Sequence, residues 1–221
     1  MGVAGGRVVT ALTHAMELLE RYAAGAREFQ KSTLADACLS KVVLDRVILV
    51  GADLRGAQLE EASLQRTDLK YVVFENANLS RANLYLAILS GANLQKANLE
   101  AARLADALLD AVRLTGAICD EADLSSTDLR ESDLADAKLQ QACLRGAHLS
   151  GADLQRADLR DADLGLASIV GANFNGADVR GTNLRCGVLL HSTFADAVYN
   201  CATQFPAGFE PEREGMISIE S

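Results

Sequence analysis

Carboxylates and carboxamides are the most numerous side chains in this sequence that could do chemistry, and their spacing decides how they are interpreted. Asp and Asn recur at intervals of five residues, as at Asn78 and Asn83 or at Asp153, Asp158 and Asp163. Two neighbouring carboxylates could serve as a general acid and base. The same interval runs through most of the chain, however, and Asp and Asn side chains commonly bond nearby main-chain groups in turns. We therefore interpret these residues as supports for a repeated turn.

The histidines and cysteines show no spacing typical of catalysis or metal binding. His14, His148 and His191 are scattered, and the five cysteines form no CxxC pair, which argues against a zinc site and a disulfide framework. Cys119 takes a position otherwise held by Leu, so we expect it to be buried as a small apolar residue. The others fall at outward or end positions: Cys38, Cys143, Cys186 and Cys201. Because no glycine-rich phosphate loop is present either, we predict no catalytic residue, no cofactor and no metal, and the chain is not expected to be an enzyme.

A large apolar residue occupies every fifth position from Phe29 to Phe194, over 34 consecutive units, with Cys119 as the exception. On an α-helix, five residues advance about 500°, and along a straight strand an odd interval alternates faces, so neither element keeps this set on one side. The backbone must therefore turn a corner within each unit. Four corners close a square coil of about 20 residues, and stacked coils would pair at about 4.8 Å.

The other positions of the unit agree with this geometry. A small residue, usually Ala, stands two places before each apolar residue, and Gly often stands two places after it, where a tight corner needs a positive φ. Pro is absent from 29 to 194, as required if every side donates backbone hydrogen bonds. Where Ser or Thr replaces the small Ala, we expect a buried hydroxyl group: Ser32, Thr67, Thr127, Ser132 and Thr182.

These units resemble the pentapeptide repeat family, whose motif A(D/N)LXX is seen in Ala52-Asp53-Leu54-Arg55-Gly56 and in Ala152-Asp153-Leu154-Gln155-Arg156. The resemblance covers about three quarters of the chain. It implies an all-β solenoid, the right-handed quadrilateral β-helix of pentapeptide repeats, which at the strand spacing would stand about 40 Å tall. The runs at residues 18–29 and 203–209 also resemble cyanobacterial members of the family.

We divide the chain into three parts. Residues 1–28 are predicted to form an N-terminal helical cap, residues 29–199 a β-helix of about 8.5 coils, and residues 200–221 a C-terminal cap with an acidic tail. Solenoid ends expose apolar cross-sections and need such caps. An amphipathic α-helix is expected over residues ~7–24, with one face made by Val8, Leu12, Ala15, Leu19 and Tyr22. An aromatic plug is expected from Tyr199, Phe205 and Phe209, followed by a tail from Glu210 that is disordered in part.

The net charge and the hydropathy of the sequence restrict the kinds of partner that the protein is expected to bind. The net charge is −9, and residues 119–200 alone carry thirteen acids against seven bases, so the basic footprint of a nucleic-acid-binding protein is missing. No stretch approaches the ~18 apolar residues of a membrane span, and no signal-peptide pattern is evident. We predict a cytoplasmic protein, a monomer or weak homodimer, that binds another protein but neither nucleic acid nor membrane.

One outer wall is more apolar than the other three. Stepping by twenty residues assigns each unit to a wall, and the wall centred on Leu49 and Leu69 carries eight outward apolar residues: Ile48, Val50, Tyr71, Ile88, Leu108, Val170, Val188 and Leu190. We expect the first five to form a continuous strip. Contiguous apolar patches tend to mark interaction sites, whereas decayed repeats or cover by the terminal segments would be the structural explanation.

The predicted function is that of a non-enzymatic interaction scaffold or regulatory protein. The resemblance to cyanobacterial members implies a role in cyanobacterial signalling or differentiation. The alternative is a DNA-mimicking modulator of DNA gyrase or topoisomerase, a role that the family resemblance also allows. Two features weaken that alternative: residues 200–221 contain two prolines and no amphipathic helix for the family's dimer module, and the acids are interleaved with arginines.

Overall fold

A stack of four-sided coils accounts for most of the chain in the computed structural model, which describes residues 4–186 and 188–219, with side chains from residue 14 onward. Parallel β-bridges join residues that are 20 apart in sequence, one bridge for every five residues, from Glu28 with Ile48 to Asp178 with Val198. Each side also donates backbone hydrogen bonds to its neighbours; the Leu99 N–H, for example, lies 2.6 Å from the Ile118 carbonyl oxygen. The register is constant over the described part of this range, so no loop interrupts it.

The core is the axis of this stack. The central residue of each unit and the small residue two places before it are almost completely buried, as are Leu99 and Ala97 at 1% and 0% exposure. Cys119 is also buried, and burial raises the pKa of its thiol to about 12, so it behaves as the small apolar residue that its position predicted. The exceptions are the central residue Leu189 in the last full coil and three residues that stand two places before a central residue; all four are only half-buried: Leu189, Ser32, Val42 and Ser192.

The corners lie two residues after each central residue. Gly51 and Gly91 both have φ of 65°, as predicted, but Tyr71 and Leu86 adopt the same left-handed conformation, with φ of 56° and 58°. Asp and Asn before the central residue support the turn, because their side-chain oxygens accept the backbone N–H two residues later. In one such turn, Asn93 Oδ1 accepts the Gln95 N–H at 3.1 Å.

The hydroxyl groups that replace the small Ala are satisfied inside the stack. Thr67, Thr127, Ser132 and Thr182 are buried, and the Thr67 hydroxyl donates to the Leu64 carbonyl oxygen at 2.6 Å. Ser32, in the first coil, is half-buried because no coil lies below it. Among the described residues, no buried side-chain nitrogen or oxygen lacks a hydrogen-bond partner.

The N-terminal helix α1 spans Ala4–Ala23, three residues longer at its start than the sequence pattern predicted. Its Ala15 and Leu18 are buried in the common core, and the Tyr22 hydroxyl donates to the Asp45 carbonyl oxygen at 3.4 Å. Leu19 is only half-buried. The side chains of Val8 and Leu12 lie outside the described residues. None of the helices that the structure describes is long and apolar enough to cross a membrane.

The C-terminal segment packs on the other end of the stack. Strand β1 (Val198–Tyr199) pairs in parallel with strand β2 (Ile217–Ser218), and a 3-10 helix spans Pro211–Glu214 between them. The predicted aromatic plug is present: Phe209 lies edge-on to Phe194 at 5.4 Å and stacks on Phe205 at 5.0 Å between ring centroids.

The tail from Glu210, which we expected to be disordered in part, is paired with the stack over the residues that the structure describes. The Ile217 N–H donates to the Ala197 carbonyl oxygen at 2.8 Å, and Met216 is buried in the core. The acidic residues of the tail hid this pairing from sequence reasoning. The bridge register also changes here, since Asn183 pairs with Gln204, one residue beyond the usual interval of 20.

Arginine–aspartate pairs run along the outer walls of the second half. Hydrogen bonds from Arg130 and Arg156 lower the pKa of Asp128 and Asp136 respectively. At Asp158, burial opposes ionisation, but the hydrogen bond and charge of Arg160 outweigh it and the pKa is again lowered. The Arg160 Nη2–Asp158 Oδ2 distance is 2.7 Å.

The assignment of inward and outward positions can be tested at Leu99 and Gln95. Leu99→Ala should lower the free energy of unfolding by roughly 2–5 kcal/mol, because it loses buried apolar surface and leaves a cavity. Gln95→Ala, on the outer surface one side earlier, should change it by less than about 0.5 kcal/mol. Urea melts of the two variants give the comparison, and equal destabilisation would contradict the assignment.

A second test uses the lowered carboxyl pKa values. An Asp whose pKa is lower in the folded state stabilises the fold above about pH 4 and ceases to do so as the pH falls through the folded value. The free energy of unfolding from urea melts should therefore decrease between pH 6 and pH 3. Arg156→Gln removes the partner of Asp136 and should make this decrease smaller, whereas Arg185→Gln, outside these pairs, should leave the slope unchanged.

Candidate protein-interaction surface

The apolar wall is the side of the stack whose central residues run from Leu49 to Leu189 in steps of twenty. Its outward residues come from three columns: the bridge position before each central residue, the position after it, and the left-handed corner. Tyr71, Leu108, Val188 and Leu190 are exposed, at 65%, 44%, 48% and 59%. Ile48, Val50, Ile88 and Val170 are half-buried.

The centre of this wall brings together Ile88, Leu108 and Tyr71, which we call the central patch. Ile88 and Leu108 are bridge partners on adjacent coils, and the Leu108 N–H donates to the Ala87 carbonyl oxygen at 3.0 Å. The Tyr71 ring, one coil below, reaches the corner of Gly91: a Cβ atom at Gly91 would stand 2.7 Å from Tyr71 Cε1. An alanine there would therefore displace the ring.

The expected continuous strip from Ile48 to Leu108 is wrong. Asp68 bridges Ile48 on one side and Ile88 on the other, so a charged residue interrupts the column. Its Oδ2 lies 3.7 Å from Lys70 Nζ. Ile48 and Val50 therefore form a separate, smaller apolar site. The interruption was readable in the sequence, because Asp68 lies 20 residues from both isoleucines.

Leu86 was missed at the central patch because each wall was considered by itself. It occupies the corner between two walls, two residues before Ile88 on the same coil, and is half-buried. Its positive φ of 58° is uncommon for a bulky residue and favours Gly, Asn or Asp. A corner Leu next to an outward Ile was the sequence signal that could have extended the patch.

A second apolar cluster, Val170, Val188 and Leu190, lies at the C-terminal end of the wall. The Gly171 N–H donates to the Leu190 carbonyl oxygen at 2.8 Å, which sets Leu190 directly above Val170. A groove of about 620 Å³ opens here between Leu190 and Phe209.

Charged residues separate the two clusters. Asp128 follows Leu108 in the bridge column and is followed by His148. The Asp128 carboxylate receives two hydrogen bonds from the Arg130 guanidinium group, from Nε at 2.7 Å and from Nη2 at 2.5 Å. The wall therefore presents two distinct apolar surfaces, and a single partner contact would not span both without desolvating this pair.

The residues that could do acid–base or metal chemistry stay apart. His14 lies in α1, His148 on the apolar wall and His191 at its C-terminal end. In the described part of the chain, no three His, Cys, Asp or Glu side chains come together as a metal site. A gap of about 180 Å³ between α1 and the first coil is lined by His14, Glu17, Arg21 and Phe29, and Arg21 lies over the Phe29 ring.

Comparisons with known proteins place this geometry in a family. The family model of pentapeptide repeats matches eight copies between residues 28 and 185. HetL, a pentapeptide repeat protein involved in heterocyst differentiation regulation in the cyanobacterium Nostoc sp. strain PCC 7120, is 31% identical over 91% of both chains, with a TM-score of 0.42. The pentapeptide repeat protein alr5209 of the same organism is 32% identical over 55% of this chain and 84% of its own, with a TM-score of 0.24.

A more distant match is QnrB1, a plasmid-mediated fluoroquinolone resistance protein. It is 15% identical over 87% of this chain and 93% of its own, with a TM-score of 0.40. No curated protein sequence matches significantly. The family model covers more than half of the chain, and the chain therefore belongs to the pentapeptide repeat family.

Proposed function

We propose that this protein is a cytoplasmic, non-enzymatic scaffold or regulatory protein that binds another protein through the central patch. The observation that supports this most directly is the pairing of Ile88 and Leu108. In most units the bridge position carries Asp, Asn or another polar residue, and here two adjacent coils both present apolar side chains. Because backbone hydrogen bonds hold both coils, binding there would cost little ordering entropy.

The family adds the biological setting of the proposal. HetL takes part in the regulation of heterocyst differentiation, and its similarity extends over nearly the whole of this chain. We infer a regulatory role in cyanobacterial signalling or differentiation, carried out by a right-handed quadrilateral β-helix (residues 29–199) between its N-terminal and C-terminal caps. The partner would be a protein, and the chain itself a monomer or weak homodimer.

The central patch can be tested with the double variant Ile88→Asp, Leu108→Asp. Both residues stand where the repeat normally carries Asp or Asn, so the variant should fold with little loss of stability. Partner capture from native lysate should fall because two carboxylates would have to be desolvated at the contact. The matched control is Val43→Asp, which changes a 56% exposed bridge-position residue on another wall and should retain capture.

Two results would contradict the proposed site. If the double variant unfolds at a temperature far below that of the wild type, Ile88 and Leu108 stabilise the fold by covering it and are not a binding site. If the double variant is folded and still captures every partner that the wild type captures, the apolar wall is only a part of the repeat that has diverged from the usual pattern, and not a binding site.

The alternative of a DNA mimic that acts on gyrase is less well supported by the charge arrangement. Phosphate mimicry needs acids free to face a basic groove, whereas Asp128, Asp158 and Asp178 each receive short hydrogen bonds from an arginine two residues later. The described residues beyond Phe194 also contain no α-helix that could serve as a dimer module.

Supercoiling assays separate these two functions. Purified protein at micromolar concentration should leave DNA supercoiling by gyrase and its poisoning by quinolones unchanged. A dose-dependent effect that disappears when Asp128, Asp133 and Asp153 are changed to Asn would establish the gyrase-directed function instead. The variant Asp36→Asn, at a corner of the first coil, is the control for a general loss of charge.

A further inference from the structure

The last coil is covered unevenly by the chain's own C-terminal segment. On the side of Leu184, the Leu184 N–H donates to the Gln204 carbonyl oxygen at 2.7 Å. On the sides that come after Leu189, the Asp196 N–H donates to the Gly215 carbonyl oxygen at 2.9 Å, and β1 pairs with β2. The side centred on Leu189, at the end of the apolar wall, makes no hydrogen bond of this kind within the described residues.

Two backbone donors are left open on that side. In the coil beneath, the Ile169 N–H donates to the Val188 carbonyl oxygen at 2.9 Å, and the Gly171 N–H to Leu190 at 2.8 Å. The equivalent groups one coil higher are the N–H groups of Leu189 and His191, which have no acceptor in the part of the chain that the structure describes. Such a pair is the free edge of a ladder and a ready template for an added strand.

The open donors lie beside an apolar groove. Its walls are Val188 and Leu190 on the ladder side and Phe209 on the side of the C-terminal segment, with Phe194 also lining it, and its volume is about 620 Å³. Leu189 is half-buried, although the central residues beneath it, such as Ile169, are fully buried. An apolar side chain placed over Leu189 would restore the cover that those coils have.

The rim of the groove is acidic. Glu214 lines it, and the neighbouring Glu212 lies in the same 3-10 helix. The one basic residue of that helix, Arg213, is paired with Glu210, with Nε 2.8 Å from Oε2. A segment that carries Lys or Arg beside its apolar residue would therefore complement the rim, whereas an acidic segment would be repelled.

We propose that the Leu189 edge binds an extended segment of a partner protein, which adds one further side to the coil. Two carbonyl oxygens of the segment, two residues apart, accept the N–H groups of Leu189 and His191. The apolar side chain between them enters the groove, and a flanking Lys or Arg faces Glu214. This inference goes beyond the proposed function, because main-chain donors at the end of the stack make the contact. The central patch is a different surface, so an experiment can disprove binding at one of the two sites without disproving it at the other.

Hydrogen exchange tests the edge directly. The probe is a synthetic peptide that copies residues 86–91, whose Ile88 and Ser90 carbonyl oxygens accept such bonds within the stack, with lysines added at both ends. In the free protein the Leu189 and His191 amides should exchange fast. Saturating peptide should slow both by about tenfold or more, because exchange requires opening of the new hydrogen bonds, and leave Ile169 and Gly171 unchanged.

Substitutions in the peptide and in the protein test whether the peptide binds at the Leu189 edge. A peptide with glutamates in place of the lysines should bind about tenfold more weakly, and Leu190→Asp in the protein should have a similar effect. Leu166→Asp is the control, because Leu166 is 69% exposed but is not among the residues that line the groove. The variant Ile88→Asp, Leu108→Asp should bind the peptide normally, which separates this site from the central patch.

Three results would overturn the proposal. Absence of slowing at any peptide concentration would show that the edge does not accept a strand. Slow exchange of both amides in the free protein, at every concentration, would mean that the chain's own terminal residues already pair with it. Slow exchange that appears only at high protein concentration would assign the edge to a second copy of this chain.

Discussion

The left-handed backbone conformation at every fifth residue from Lys31 to Gly181 is the constraint on which the rest of this structure depends. It turns the chain through a corner and keeps one apolar residue per unit on the inside. It also brings residues 20 apart into the same column, where their backbone groups bond. The conformation costs roughly 1–2 kcal/mol for most residues, and Tyr71, Leu86 and many charged residues adopt it here. The stack must therefore supply the compensation, through a continuous ladder and a core without unsatisfied side-chain polar groups in the described chain.

The burial of the interior residues could largely be predicted from the sequence, because every unit has the same backbone geometry and places the same positions inside. A buried Cys119, buried threonine hydroxyls and Asp or Asn at the turns all follow from position within the unit. The ends were less readable. Residues 210–219 look like a solvated tail by composition, and only the unpaired edge of β1 explains why Ile217 and Ser218 form a strand. A local pattern does not contain that long-range pairing.

The candidate site shows the same division. The column that holds Ile88 and Leu108 could be deduced by counting, and the structure places them side by side. The reach of the Tyr71 ring to Gly91 could not, because it depends on a rotamer at a strained corner. The position of Leu86, two residues before Ile88 on the same coil, was hidden because each corner was assigned to one wall only. Side-chain direction at the corners, which the repeat leaves free, is therefore the part of the surface that sequence reasoning predicts least well.

The 20-residue register of the bridges also limits how such a surface can change in length. Deletion of one five-residue unit near the middle of the stack would preserve the core but move every later column to the neighbouring wall. Val188 and Leu190 would then no longer share a wall with Ile88. Only gains or losses of a whole coil keep every face in place, and each such step changes the distance between the central patch and the Leu189 edge by about 4.8 Å. The number of coils therefore sets the separation of the two proposed binding surfaces, in steps of one coil.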